Sequence, residues 1–318
     1  MLSLTSPTLI AVLRSMLARY GNPQSDMLPA AGTPERESLV DSVKRRFGLT
    51  DADVLSDSSI TVDEWADALS ERGDITHLQL FDSDIGGAFS HRLQRQHRYS
   101  AASLLQEAEA LATLFDQDGQ PVRSVVSWLS AQTAAGFMLG ALLPQLAGWS
   151  SRSLFDHADA LWELNAGDIM VTSADRWRQL AQRLPSLSMN ITAVSTSTLD
   201  KHTYRALLAK GVAHIIELHC QPGLGVLAAR RSPQAPFELL THWHPTESDD
   251  YLLRMMKGGM PEEVQLAEPL RWVGARHFLP GLAEPKTERL VLAEEQAAST
   301  SPVWRLSQHS DSSGANAA

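Results

Sequence analysis

Residues 77–91 read H-L-Q-L-F-D-S-D-I-G-G-A-F-S-H, from His77 to His91. A short strand over 77–81, a turn supplied by Gly86-Gly87 and a Leu/Ala-rich helix over 101–115 make one strand–turn–helix unit. The same alternation continues outward along the chain. Strands are expected at 122–128, 168–172, 191–195 and 214–219, with helices at 133–146, 177–184 and 201–210 between them. Strands separated by helices indicate a layered α/β fold with largely parallel pairing. Residues 233–272 read as short strands and turns.

The chain before this unit is helical. Leu9, Leu13, Met16 and Leu17 recur at helical spacing, as do Leu39, Val43 and Phe47. Asp63, Trp65 and Leu69 fall on a third helix with Thr61 placed to cap it. A Pro/Gly/Ala-rich loop over 21–34 separates the first two. After Ser307 the chain is low in apolar residues, and 307–318 reads as a disordered tail. The expected division is a helical lobe over 1–72, an α/β domain over 73–306 and the tail over 307–318.

Bulk properties exclude several function classes. The formal charge of −10 argues against a nucleic-acid footprint, which needs clustered basic surface. The single cysteine, Cys220, leaves no internal disulfide framework and suits a reducing cytoplasm. The apolar stretch over 9–17 contains Arg14 and lacks a cleavage pattern, so no signal peptide is expected. The longest apolar stretch, 133–149, carries Gln145 and falls short of the ~20 residues that a membrane span requires.

The Phe81 stretch resembles the phosphate loop of the adenylate-forming (AMP-binding, acyl-CoA synthetase-like) enzymes, roughly F-T-S-G-S-T-G-x-P-K. Phe81, Ser83 and Gly87 fit, while Asp84, Ile85, Phe89 and Ser90 replace the family's Gly, Ser, Pro and Lys. The resemblance covers about residues 75–285. It implies the family's large N-terminal domain, and a chemistry that joins a carboxylic acid to AMP with Mg²⁺–ATP. Each requirement of that chemistry meets a departure. The family's His-His-x-Tyr-Gly cluster corresponds to Ser130–Gly136, where only Gly136 persists. Along Glu217–Arg230, E-L-H-C-Q-P-G-L-G-V-L-A-A-R, His219 takes the place of the adenine-stacking aromatic. Gly223 takes that of the Mg²⁺-binding Glu, and Leu224 that of a Thr; Gly225 persists. Leu270, Trp272 and Phe278 match a downstream stretch with Glu268 near the ribose-gripping Asp, but residues 281–285 keep neither residue of the family's hinge. The family's C-terminal lid, with its catalytic Lys, is expected to be absent.

The N-terminal helices are similar in order to an acyl carrier protein. The serine that carries phosphopantetheine there would correspond to Thr33 in Gly32-Thr33-Pro34 or, shifted, to Ser38; a helical lobe without prosthetic group is the simpler expectation. His242-Trp243-His244, with His214 and His219, offers metal-type ligands, but scaffold explains these residues better. Cys220 and His219 are neighbours on a strand and point to opposite faces, which spoils a nucleophile–base pair. Residues 195–198 lack a nucleophile elbow, and Gly223-x-Gly225 is too short for a dinucleotide fingerprint.

The combined expectation is an α/β protein with the layered αβαβ N-terminal domain of an adenylate-forming enzyme and a small helical lobe. It is expected to be cytoplasmic and non-catalytic, with no metal and no cofactor. Ser83, Gly87, His219, Gly223 and Gly225 would mark a vestigial nucleotide cleft; Phe137, Met138 and Leu224 would line an acyl pocket. Its partners would be a small carboxylic acid, an acyl carrier protein or an active biosynthetic enzyme such as a synthetase or ketosynthase of a polyketide or aryl-polyene type pathway. The alternative is a divergent acid ligase, using Mg²⁺–ATP and completed by another chain.

Overall fold

Two threonines decide where the second and third helices begin. The computed structural model describes residues 1–18, 26–49, 55, 58–73, 75–82, 95–116, 121–184 and 190–279. The chain opens with α1 (Ser6–Leu17), α2 (Pro34–Phe47) and α3 (Val62–Arg72). Thr33 accepts from the Arg36 N–H at 3.3 Å, and Thr61 and Glu64 form a reciprocal capping box. These helices share one core with the first strand. Leu9, Val12 and Leu13 of α1 and Trp65 and Leu69 of α3 are buried with Leu78 and Leu80 of β1 (His77–Phe81). The Leu2 N–H donates to the Ile75 carbonyl at 2.8 Å, tying the first residues to the entry of β1.

The simple strand–turn–helix reading needs a correction. A second strand, β2 (Gln96–Ser100), precedes helix α4 (Ala101–Asp116) and pairs antiparallel with β1 from His77↔Ser100 to Phe81↔Gln96. Its sequence, Q-H-R-Y-S, buries only Tyr99, too little alternation to announce a strand. These two strands form a separate sheet, joined to the rest through a bridge from Phe81 to Thr133.

The main sheet begins with β3 (Ser124–Ser127), followed by helix α5 (Ala134–Phe137), a π-helical turn (Met138–Leu142) and α6 (Leu143–Ala147). Next come β4 (Ser150–Ser153), a 3₁₀ turn (Ala158–Leu161), β5 (Asp168–Thr172), α7 (Ala174–Arg183), β6 (Thr192–Ser195), α8 (Lys201–Ala209) and β7 (His214–Gln221). Strands β8 (Gly225–Arg230) and β9 (Phe237–Leu239) add antiparallel pairs. β10 (Trp243–Pro245), β11 (Tyr251–Arg254) and β12 (Glu262–Gln265) form a third sheet, and β13 (Arg271–Trp272) and β14 (His277–Leu279) return to the main one. The nine-stranded order is β13-β14-β9-β8-β7-β6-β5-β3-β4, parallel from β4 to β7 and antiparallel beyond.

Both faces of the parallel half are covered, as its continuous apolar runs require. Val125, Ile169, Val171, Val194 and Ile216 face the core shared with α1 and α4. Val126, Met170, Ala193 and Ile215 face the other way, against Trp177 of α7 and Leu207 of α8. The Trp177 indole N–H donates to the Val194 carbonyl at 2.9 Å, satisfying its one polar atom inside that layer. No helix among the described residues is long and apolar enough to cross a membrane.

The winding has a reversal that matters for the site. From β3 the chain moves outward to the edge strand β4, then returns past β3 to β5 and continues the other way through β6 to β7. The crevice at the C-terminal ends of β3 and β5 is therefore a topological switch point, where open α/β sheets place ligands.

Candidate functional site

Two places concentrate polar groups: the turn between β7 and β8, and a cavity at the switch point. The turn carries Gly223 (φ +75°) and Gly225 (φ +81°), conformations that residues with a Cβ rarely adopt. A Cβ added to Gly223 would lie 2.7 Å from Nδ1 of His97. The imidazole is held there by Asp82, whose Oδ2 stands 3.0 Å from His97 Nε2. The other oxygen, Oδ1, accepts from the Gly223 N–H at 3.3 Å. Asp82 follows β1, His97 lies on β2, and Gly223 lies in the β7–β8 turn, so one carboxylate fastens three segments.

Gly225 is blocked from below. A Cβ there would lie 2.9 Å from Cδ of Glu107 on α4, and closer still to its Oε2. Glu107 is buried and accepts from the Val226 N–H at 3.0 Å. Burial pushes its carboxyl up to about 7, against the opposing pull of that N–H and of Arg254. Burial also raises the Tyr99 hydroxyl, with Glu107 and Asp82 adding to the effect, and pushes the Cys220 thiol up to about 12, which leaves the thiol inert. On the far side, Gln221 donates to the Glu268 carbonyl at 3.0 Å and accepts from the Ala267 N–H at 2.9 Å.

The resemblance asks this turn to hold Mg²⁺–nucleotide, and the residues present do not fit that complex. The position implied for the metal-binding Glu is a glycine whose side-chain space is taken by His97. The nearest carboxylates, Asp82 and Glu107, are spent on His97 and on backbone N–H groups. His219, at the implied aromatic position, is packed 5.1 Å from the Phe278 ring and 5.5 Å from Phe237. Burial holds its imidazole neutral, down to about 4, with Arg230 adding to the effect. Ser83 and Gly87 lie outside the described residues.

The remaining candidates are scaffold in the fold. Phe137, Met138 and Leu224 are buried in the main core and none of them lines the cavity; their neighbour Gly136 does. Trp243 donates to the Val226 carbonyl at 3.2 Å beneath the Arg254 guanidinium, and His242 is buried beside it. No cluster of metal-type ligands occurs among the described residues. Thr33 is occupied as a helix cap, donating to the Ala30 carbonyl at 2.8 Å, whereas Ser38 is exposed on α2.

The cavity has a volume of about 850 Å³. Its walls are α1, the segment from Ser127 to Gly140, the edge strand β4 and the start of α7. Gln132 donates to the Ser15 carbonyl, and Ser15 and Ser130 share a hydrogen bond of 2.9 Å, which fixes α1 across the strand ends. Gln145 anchors the start of the helix by accepting from the Thr5 N–H at 2.9 Å. Arg176 enters from α7, donates to the Trp128 carbonyl, and lies over the rings of Trp128 and Phe155 at 5.2 and 5.5 Å. Sequence reading missed Asp82, His97, Glu107 and Arg176. Only Asp82 carries a signal, as a departure from the family's Thr directly after Phe81.

No protein-family model matches the chain. In sequence it is 29% identical over 187 residues to a 4-coumarate--CoA ligase of Halorhodospira halophila, covering 58% of this chain and 46% of that protein. A 4-coumarate--CoA ligase of Cereibacter sphaeroides is 29% identical over 153 residues, 45% of this chain and 35% of its own. The chain thus spans about half or less of the length of the curated relatives it matches. Among solved structures, VinN superposes with a TM-score of 0.50 at 10% identity, over 85% of this chain and 76% of its own, a likeness of fold. In sequence the chain is similar to these acid–CoA ligases, and its α/β architecture is like that of the large N-terminal domain of the adenylate-forming superfamily.

Proposed function

We propose that the chain is a non-catalytic member of this superfamily, one that keeps the fold for binding a small carboxylic acid or a partner protein in a biosynthetic pathway. The observation that carries this reading is the β7–β8 turn. His97, held by Asp82, takes the room in which a side chain at Gly223 would reach a metal. Reintroducing a carboxylate at Gly223 would demand both a strained backbone and a displaced imidazole. A family whose chemistry rests on stabilising developing phosphate charge loses its anchor at this point. An acyl carrier protein or an active biosynthetic enzyme is the partner class that suits such a chain.

The test is isothermal titration of folded protein with Mg²⁺–ATP, alone and with a panel of aryl and fatty acids, followed by pyrophosphate exchange. No nucleotide heat and no exchange are expected. Saturable Mg²⁺–ATP binding with acid-dependent exchange would overturn the reading. It would favour a divergent acid ligase, a second reading supported by the names of the relatives.

A further inference from the structure

Charge is distributed unevenly along this chain. Residues 174–210, which hold α7 and α8, contain six Lys or Arg against two Asp, while the other 281 residues carry 21 basic against 35 acidic side chains. A segment of charge +4 is thus set in a chain whose remainder is −14. The two helices contact each other and cover the face of the sheet turned away from α1 and α4, burying Trp177, Leu180 and Leu207.

The pair is tied at both ends. Near the start, Arg178 of α7 donates to Asp175 at 2.7 Å and to Asp200, the cap of α8, at 3.2 Å. At the far end the Lys210 ammonium donates to the Leu184 carbonyl. Both acids of the segment are thereby occupied by Arg178, and Arg176 and Lys210 are turned to backbone carbonyls. Arg183, Lys201 and Arg205 are left. All three are exposed, and none makes an ion pair or a side-chain hydrogen bond among the described residues. Lys201, Arg205 and Leu208 follow i, i+4, i+7 and so share one stripe of α8. Leu208 is 44% exposed, the one large apolar side chain left uncovered among the described residues of this segment. Cations grouped around an exposed apolar side chain match the polar rim and apolar anchor of a protein interface.

From this arrangement we infer that the outer face of α7 and α8 docks an acidic helix of a partner protein. The partner's carboxylates lie against Arg183, Lys201 and Arg205, and an apolar side chain lies against Leu208. Three cations around one leucine do not make the extended basic track that nucleic acid needs, and a single exposed leucine is too little to enter a membrane. A second copy of the chain would have to offer acidic surface from elsewhere on itself, a head-to-tail contact that runs on into rings or filaments; a separate protein is the simpler occupant. The inference rests on the partner-protein form of the reading above and not on the loss of nucleotide chemistry. With ten residues in α7 and nine in α8 the face is small, which suits a transient, salt-dependent contact.

The probe is a fluorescein-labelled amphipathic helix of about 20 residues, with Glu on one face around a single Leu, read by anisotropy against the intact chain at low salt. The same helix with Lys for Glu, a DNA duplex and phosphatidylglycerol vesicles are run beside it. Saturable binding of the Glu helix is expected, weakened about tenfold or more in high salt and absent with the Lys helix. The triple variant Arg183→Gln, Lys201→Gln, Arg205→Gln is expected to lower affinity about tenfold or more, and Leu208→Ser to lower it severalfold. A second triple variant, Lys44→Gln, Lys257→Gln, Arg271→Gln, changes net charge equally away from this face and is expected to keep the parent affinity. Equal loss in the two triple variants, no binding of the Glu helix, or tighter binding of DNA or vesicles overturns the inference. Sedimentation that shows self-association, abolished in the first triple variant, also overturns it by making the occupant a second copy. An inert Glu helix with silent Mg²⁺–ATP titrations sinks docking and leaves the non-catalytic reading standing. A bound Glu helix with saturable Mg²⁺–ATP binding does the reverse.

Discussion

Gly225→Ala tests how tightly the β7–β8 turn is closed on α4. The backbone there sits at φ +81°, where an L-residue costs about 1–2 kcal/mol. The new methyl would also lie 2.9 Å from Cδ of Glu107 and nearer to Oε2, so the carboxyl must leave. Its departure strands the buried Val226 N–H, which it accepts at 3.0 Å, for about another 1–3 kcal/mol. The expected loss is therefore about 2–5 kcal/mol in urea unfolding. The two contributions separate in a double-mutant cycle. In a Glu107→Ala background the steric and hydrogen-bond parts are already gone, so Gly225→Ala should cost only its backbone share. The coupling should be about 1–3 kcal/mol. Additivity of the two substitutions to within about 0.5 kcal/mol would refute the argument that Glu107 fills the space below Gly225.

Glu107 should also leave a signature in pH. Its folded carboxyl keeps its proton to about 7, while the unfolded group ionises near 4.5, so stability is fully present below pH 4.5, falls as pH rises towards 7 and levels above. Glu107→Gln should remove that slope and gain on the parent protein through this window; parallel urea midpoints from pH 4.5 to 7.5 would count against it. Glu217 and Arg230 form a buried pair, with Arg230 Nε 2.6 Å from Oε2. Glu217→Leu alone should lose about 3–5 kcal/mol, and adding Arg230→Met should recover most of it. Equal stability of the single and double variants would show that the pair is not coupled.

The parallel half of the sheet was legible because each of its inner strands carries a short buried apolar run: V-V in β3, I-M-V in β5, A-V in β6 and I-I in β7. I-M-V in β5 and H-I-I-E-L in β7 bury both faces, and the helices between them carry clear periodicity. The edge strand β4 was not, because S-S-R-S faces solvent and gives no apolar signal. β8 was read as part of a motif, although its six residues are all buried. The helical stretch after Thr133 is apolar all round, so sequence could not separate residues facing a pocket from those facing the core. Phe137 and Met138 face the core, and small residues on the other side, Gly136 and Gly140, face the cavity. Of the turn, sequence located Gly223 and Gly225 but not what fills the space beside them. His97 and Glu107 reach it from elements more than a hundred residues earlier.

The wall that α1 gives the cavity has a consequence for synthesis. Thr5 and its anchor Gln145 are 140 residues apart. At ribosomal rates of about 5–20 residues per second, roughly 7–28 s separate their emergence. During that interval the apolar residues Leu9, Val12, Leu13 and Met16 have only the early helices, the β1–β2 pair and α4 to pack against, and not the segment from β3 to α6. Newly made chains are therefore most exposed to aggregation before β3 to α6 is complete, and a holdase should bind arrested chains ending near residue 120 more strongly than those ending near residue 180.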